Sequence, residues 1–575
     1  MNLWIGASAL RASQYGINQV SQNLANANTE GYHRQVVGFQ ARPSQSIGGL
    51  RIGSGVEVSG VKRIRDQIVE SAFTNSIADL GEVEQRLSIE TRIESLFLSG
   101  EGTVQNSLTG FFDELARLSA NPGEKSLRSS VLNQANNLTG HIQETASGLV
   151  ELKNSVRQQI EIEVNGLNQD IENLVTLQNQ IKTRIFQGTP NDLLDQRDQL
   201  INKIAEKIDI QRFESVQGSL GLGIAGSSIS IGVVAVQFET VTSPEGDVQL
   251  QAVGGDRATK FASGKVAALV DVHNNLIDEY SQKLDTLTEQ LIRDVDQAHA
   301  TGVGLDGPFS ILRSARNSKN TTVPLNESGL PFSIESGQLH VSVTAPDGRR
   351  QLYTLDIDPS VDSLDDLAAQ ISSVDHIQGV VDSQTGQLAI IAQPGYGFDF
   401  AGQLETHPDV SSFTGSSVPT LSGNYQGTTN QEFTVTALGS GIIGKTPGLK
   451  AEVTDQFGSV IKEINIGEGY EAGSEIELSD GVSLRLSVGD IAVADEFSTK
   501  AVAVPDSTGV LTALGLNSFF HGTESRNIEV NSALLEDPDK FATSKSGDIG
   551  DTRNLSNLIE LRNRQALGDG RQTFD

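Results

Sequence analysis

The chain has 575 residues, no cysteine, and 42 Lys+Arg against 73 Asp+Glu, a net charge of −31. That length exceeds one hydrophobic core and implies roughly three to five domains. The charge disfavours binding to nucleic acid or to an anionic membrane, and the missing thiols exclude disulfides and thiolate metal sites.

The first predicted element is an amphipathic helix from Leu3 to about Ala27. Leu3, Ala7, Leu10, Ile17 and Leu24 recur by threes, fours or their sum, which makes a coiled-coil-type seam. The helix runs into Asn26-Ala27-Asn28-Thr29-Glu30-Gly31-Tyr32-His33-Arg34-Gln35. Asn side chains compete with helical hydrogen bonds and Gly31 can take positive φ, so the helix should stop there and Tyr32–Gln35 leave extended. Residues 36–60 read as a β-hairpin or ribbon. Helices follow over Ile68–Leu98, Leu108–Leu118 and about Leu127–Ile185. The last has an apolar seam of Leu138, Ile142, Leu149, Leu152, Val156, Ile160, Val164, Leu167, Ile171, Leu174, Ile181 and Ile185. Two successive fours around Ile160 depart from strict heptads.

A further helix spans Asn191–Ile208, a glycine-rich β-hairpin excursion 217–254, and a long helix Lys265 to about His299. From about 310 the composition turns to Gly, Ser, Thr, Asp and Val. A first β-rich module covers about 325–405, with strands at Leu339–Thr344, Arg350–Ile357 and Gln387–Ala392 and a short helix capped by Ser363. A second covers about 421–505. Their similar sizes hint at duplication without an alignment to support it. Amphipathic helix returns over Asn554–Leu567.

No catalytic constellation is evident. His-Glu-x-x-His and Gly-x-Ser-x-Gly are absent, and Cys nucleophiles are impossible. Gly218–Gly223 lacks the Gly-Lys-Ser/Thr ending of a phosphate loop and reads as a β-turn. Asp356, Asp358 and Asp362 mimic a calcium loop but lack its glycine and its final Glu, so they read as solvated loop acids. His273 lies on a helix seam and reads as packed. The expectation is no enzyme, no cofactor and no metal site. No stretch has transmembrane length and no cleavable signal peptide is evident.

The run Asn26–Gln35 beside its helix resembles the N-terminal signature of bacterial flagellar axial proteins. Its Gly31-Tyr32-His33-Arg34-Gln35 ending is most similar to the hook-associated protein 1 family at the hook–filament junction. Asp192–Leu200, Gly264-Lys265, Gln297-Ala298-His299 and Glu529-Val530-Asn531 resemble segments of the same family. The resemblance implies an α+β fold: an elongated, discontinuous axial protein whose long-helix rod domain carries inserted β-rich outer modules. The expected domains are 1–60 (inner helix and ribbon), 61–310 (helical rod), 311–410 and 411–510 (β-rich modules) and 511–575 (return segment). The resemblance also implies a C-terminal helix pairing with the first one. The sequence stops at Asp575 before it, so either the record is truncated or the innermost assembly is abnormal.

The implied role is structural: a ring of copies at the hook–filament junction, outside the cell and required for filament assembly. Implied partners are hook protein, the second junction protein, the flagellar export apparatus and an export chaperone whose C-terminal site falls in the missing stretch. No nucleic acid or membrane span is implied. The subunit-interface candidates are Leu3, Trp4, Leu10, Ile17, Leu24, Asn26, Asn28, Gly31, Tyr32, Arg34 and Gln35. For Trp4, the only tryptophan, an anchor role and plain coiled-coil packing stay open. For the Asn26–Gln35 run, cap and turn geometry is the other reading. Alternatives are another axial protein (second junction protein, hook protein or flagellin) or a secreted surface-binding protein using the β modules.

Overall fold

The computed structural model describes residues 2–98, 102–214, 220–224, 235–255, 257–564 and 573–574. Contacts divide the chain into two units, each built from two stretches: Met1–Ser99 with Ser147–Gln282, and Gly100–Ala146 with Lys283–Asp575.

The helical part runs in order as follows. Helix α1 is Asn2–Ala25, two residues shorter at its end than expected. Strands β1 (Gln35–Ala41), β2 (Gln45–Ile47), β3 (Leu50–Ile52) and β4 (Val56–Arg63) make two antiparallel pairs, β1–β4 and β2–β3. Helices α2 (Gln67–Leu98), α3 (Val104–Leu118), α4 (Lys125–Arg184) and α5 (Asn191–Lys207) follow. Helix α3 starts four residues before the expected Leu108 because Thr103 caps it, its hydroxyl accepting from the Asn106 N–H at 3.1 Å. In α4 the predicted seam from Leu138 to Ile181 is buried throughout, whereas Ile185, past the helix end, is exposed.

The predicted hairpin at 217–254 is instead two separate sheets. Strands β5 (Ile210–Glu214) and β6 (Leu220–Ile224) pair together, and β7 (Phe238–Thr242), β8 (Val248–Ala252) and β9 (Ala258–Thr259) form a second sheet. The supposed β-turn at 218–223 therefore contains most of strand β6, and Gly218 lies outside the described residues. The next long helix is α6 (Lys265–Asp271), a π turn (Val272–Leu276) and α7 (Ile277–Ala300). The π turn has a tertiary cause: Asn274 bonds both the N–H and the carbonyl of Val248 on β8, each at 2.9 Å. His273 in this turn is buried, as its seam position predicts.

In the second unit, β10 (Ile311–Arg313), β11 (Gly337–Thr344), β12 (Arg350–Ile357), α8 (Leu364–Ser372), β13 (Ile377–Asp382), β14 (Gln387–Ala392) and β15 (Gly397–Asp399) build two three-stranded sheets, β12-β11-β15 and β10-β14-β13. Ser363 caps α8 in a reciprocal capping box with Asp366. Asp358 and Asp362 hold their own loop, accepting from the N–H groups of Ser360 and Asp358, whereas Asp356 lies on strand β12 rather than in a loop and accepts from the Gln338 amide at 2.9 Å. Next come β16 (Pro419–Gly423), β17 (Gln431–Ala437), β18 (Gly441–Ile442), β19 (Lys450–Thr454), β20 (Val460–Asn465), β21 (Ile476–Ser479), β22 (Val482–Leu486), β23 (Asp490–Ile491) and β24 (Glu496–Ala501). Their main sheets are β20-β19-β17-β24 and β16-β22-β21. The strand orders differ from the first module, which gives the hinted duplication no support.

The return segment holds α9 (Val510–Leu514), β25 (Phe520–His521), β26 (Glu529–Val530), α10 (Ser532–Glu536) and α11 (Arg553–Glu560). The expected Asn554–Leu567 helix instead ends at Glu560, followed by a 3-10 turn over Leu561–Asn563 and an extended Arg564, and its residues 565–567 lie outside the described residues. The return segment docks through a buried aromatic core of Phe111, Phe112, Phe519, Phe520 and Phe541. Buried polar groups set its register. Arg128 donates to the carbonyl of Phe541 at 2.8 Å and the hydroxyl of Thr543 at 2.6 Å. Asp296 accepts from the N–H groups of Phe519 and Phe520 and from Arg316. His299 donates from Nδ1 to the Asn517 carbonyl at 2.7 Å and accepts at Nε2 from the Ala542 N–H at 3.1 Å.

That pairing requires a neutral imidazole, and burial pushes His299 down to about 4. The unfolded chain takes up this proton as pH falls through about 6.5. The stabilisation is therefore full above that pH and is lost as pH drops towards 4, up to about 3 kcal/mol. Amide exchange at Phe519 and Phe520 should accelerate over this range. His299→Gln should remove this contribution and leave the comparable one from His340, which burial also holds at about 4.

Candidate functional site

The residues singled out in the N-terminal run divide by where they face. Leu3 is 89% exposed, Trp4 72%, Leu10 72%, Ile17 66% and Leu24 77%. The predicted seam thus has no partner among the described residues. The opposite face of α1 is small and polar and lies on the β1–β4 ribbon: Ala12 and Ser8 are buried, and the Ser8 hydroxyl accepts from the Val56 N–H at 3.3 Å. Asn28 and Arg34 are also exposed.

Gly31, Tyr32 and Gln35 are engaged inside the chain. Gly31 has φ +76°, and a Cβ there would run into Gln199, whose amide donates to the Glu30 carbonyl at 2.6 Å. Asn26 closes the helix, donating to the Gln22 carbonyl at 3.0 Å and accepting from Thr29 at 3.2 Å. The hub is Asn23, which sequence reasoning missed. Its Oδ1 accepts from the Tyr32 hydroxyl at 2.8 Å and the Gln35 N–H at 2.9 Å, while its Nδ2 donates to the Gln35 carbonyl at 2.8 Å. Burial, with Asp195 nearby, holds the Tyr32 phenol above its ordinary pKa, so it stays a donor. An Asn within a helix is locally unfavourable, and that was the available signal.

His33 leads into a charge cluster. Its Nδ1 lies 2.8 Å from Asp195 on α5 and its Nε2 3.5 Å from Glu70 on α2. Arg63, at the end of β4, bonds Asp195 at 2.7 Å and Asp198 at 2.9 Å. Arg212 on β5 reaches Asp198 at 2.7 Å, and Arg65 reaches Glu70 at 3.2 Å. Burial alone would raise the Asp198 carboxyl, but Arg197, Arg63, Arg212 and Arg65 together outweigh it and hold the pKa below the ordinary value. His33, Glu70 and Asp198 are close enough to hold a metal ion. The guanidinium groups already occupy those carboxylates and would repel a divalent cation, so the donor set fits an ion-pair network better than a metal.

Two segments far apart in sequence, Gly31–Gln35 and Asp192–Leu200, therefore meet through His33, Asp195, Asp198 and Gln199. Residues 91–310 match the family described as the flagellar hook-associated protein FlgK helical domain. The chain is similar to proteins named flagellar hook-associated protein 1. The Salmonella typhimurium protein of that name is 26% identical over 313 residues, 52% of this chain and 56% of that one. The Bacillus subtilis protein is 28% identical over 248 residues, 41% and 48% of the two. The chain thus spans about half the length of the curated relatives it matches. Among solved structures, the flagellar hook junction protein FlgK from Burkholderia pseudomallei aligns over 87% of this chain and 92% of its own, at 16% identity and a TM-score of 0.42.

The Asn23 hub gives a local test. Asn23→Ala removes three hydrogen bonds between α1 and its exit strand and should accelerate amide exchange at Gln35 by about tenfold or more. Leu24→Ala, one residue on but exposed, should leave that rate unchanged.

Proposed function

We propose that this chain is a structural subunit of the bacterial flagellum, forming the junction between hook and filament. The observation that carries the reading is the pairing of a locked exit motif with an unpartnered apolar helix face. The Asn23 hub and the Asp195/Asp198 cluster hold the ribbon and exit strand rigidly, and α1 then presents Leu3, Trp4, Leu10, Ile17 and Leu24 outward. A heptad-spaced face of this kind suits helix packing against neighbouring subunits. Kinship with flagellar hook-associated protein 1 supports the same placement.

Copies of the chain associate in a ring through α1, contacting hook protein on one side and the second junction protein on the other. The chain leaves the cell through the flagellar export apparatus with its N-terminus retained, assisted by an export chaperone. Its work is mechanical: it joins two polymers, and no catalytic step is involved. Among the described residues, no helix is long and apolar enough to cross a membrane.

Deleting the gene should leave hooks visible by electron microscopy but without filaments, with flagellin released into the medium. Re-expression of the chain should restore filaments, whereas a Leu10→Asp/Ile17→Asp double variant, still folded by circular dichroism, should not. Normal filaments in a clean deletion would overturn the proposal.

A further inference from the structure

Acidic residues outnumber basic ones 73 to 42 in this chain. Against that background, a cavity of about 360 Å³ in the second unit is lined by Arg350, Lys545 and Arg553, with no Asp or Glu in its wall. It lies where the first β module, the β16–β17 turn and the return segment converge. The rest of its wall is mainly amide, hydroxyl and a single aromatic ring, including Asn424, Tyr425, Gln426, Ser546 and Asn557.

Two of these cations lack a carboxylate partner within ion-pair distance among the described residues. Arg350 donates to the Leu404 carbonyl at 3.3 Å. Lys545 donates to the carbonyl of Thr301 at 2.6 Å and its hydroxyl at 3.1 Å. Arg553 is committed to Asp551, at 2.9 and 2.8 Å, and also reaches Asn424 at 3.0 Å. Asp551 acts on Lys545 and Asp548 on Arg350, while the carboxylate that acts on both cations, Asp399, is fully buried and bonded to the Ala401 N–H and the Gln403 amide. Burial pushes Asp399 up to about 6, which weakens it as a counter-charge. Burial, with Arg553 alongside, pushes Lys545 down to about 7. A half-buried cation in this state is stabilised by an anion that replaces the lost hydration.

We propose that this cavity binds a monosaccharide-sized hydroxy carboxylate of the acidic-sugar class. The carboxylate sits between Arg350 and Lys545, because a guanidinium fork matches a planar carboxylate. The hydroxyls face the amide and hydroxyl groups of Asn424, Gln426, Asn557 and Ser546, and the Tyr425 ring offers an apolar surface. The volume lies at the lower end of small-molecule sites. A bare inorganic anion would leave the amide wall unused. The site is independent of the α1 face, so it stands or falls separately from the junction role.

The test is calorimetric titration of the full chain with glucuronate, glucose and inorganic phosphate. Glucuronate should bind and glucose should not. Arg350→Gln and Lys545→Gln should each weaken glucuronate about tenfold or more. Asn557 is exposed at the rim, so Asn557→Asp should weaken binding severalfold by charge repulsion while leaving thermal unfolding unchanged. Affinity should fall from pH 6 to pH 8 as Lys545, faced by Arg553, Asp551 and Asp399, loses its proton and Asp399 gains charge. Absence of glucuronate binding, binding indifferent to both Lys545→Gln and Asn557→Asp, or phosphate binding as tightly as glucuronate would each overturn the proposal.

Discussion

The pair Asp195 and Asp198 is the constraint on which the first unit depends. Asp198 is 5% exposed, and a carboxylate so buried stays ionised only when cations offset the lost hydration. The cations come from different elements: Arg63 from β4, Arg65 from the turn after it, Arg197 from α5 and Arg212 from β5. Each element must hold its place for the charge to be tolerated. The cluster therefore fixes β1–β4, α2, α5 and β5 together, and His33 extends the same network into the exit of α1. Nothing in it calls for a metal, since guanidinium groups fill the positions an ion would take.

With its exit held this way, α1 is unusual in how its faces are used. An ordinary surface helix buries its apolar stripe and exposes its polar one. Here small and polar residues, Ser8, Ala12 and Asn23, lie against the ribbon, while the large apolar side chains face out. Burying one Leu or Ile is worth about 1.5–3 kcal/mol, and a helix of this length alone is marginal in water. The chain gives up that stabilisation within itself, and in the proposed ring it would become available between copies. A contiguous exposed stripe on a rigid mount is the expected form of an interaction surface.

Much of this was legible in the residues. The buried seam of α4, the positive φ of Gly31 and the Ser363 cap all follow from local rules of spacing and backbone chemistry. The burial of α1 was not, because periodicity identifies an apolar stripe without saying whether the same chain covers it. The role of Asn23 and the π turn at Asn274 were hidden for a related reason. Both depend on a polar side chain reaching a backbone group of another element. The charge cluster draws Glu70, Asp198 and Arg212 from three elements, and no local pattern links them. The excursion after α5 was misplaced at both ends, because its glycines marked the middle of sheets whose edges are set by pairing with Ile210 and Thr259.

The distribution of charge bears on how such an acidic chain can meet copies of itself. Over residues 1–56 the charged side chains are Arg11, Arg34, Arg42 and Arg51 against Glu30, so this stretch carries 4 − 1 = +3. The remainder therefore carries −31 − 3 = −34. Copies approaching through their acidic parts repel one another, while the N-terminal segment of one is attracted to the rest of another. Helix α1 carries a single charge, Arg11. Its apolar face can thus close on a neighbour without burying like charges, and at physiological salt the wider repulsion is screened beyond about 8 Å. In the proposed ring, charge would then select the N-terminal segment for contact with a neighbour, and the apolar stripe would supply the short-range attraction.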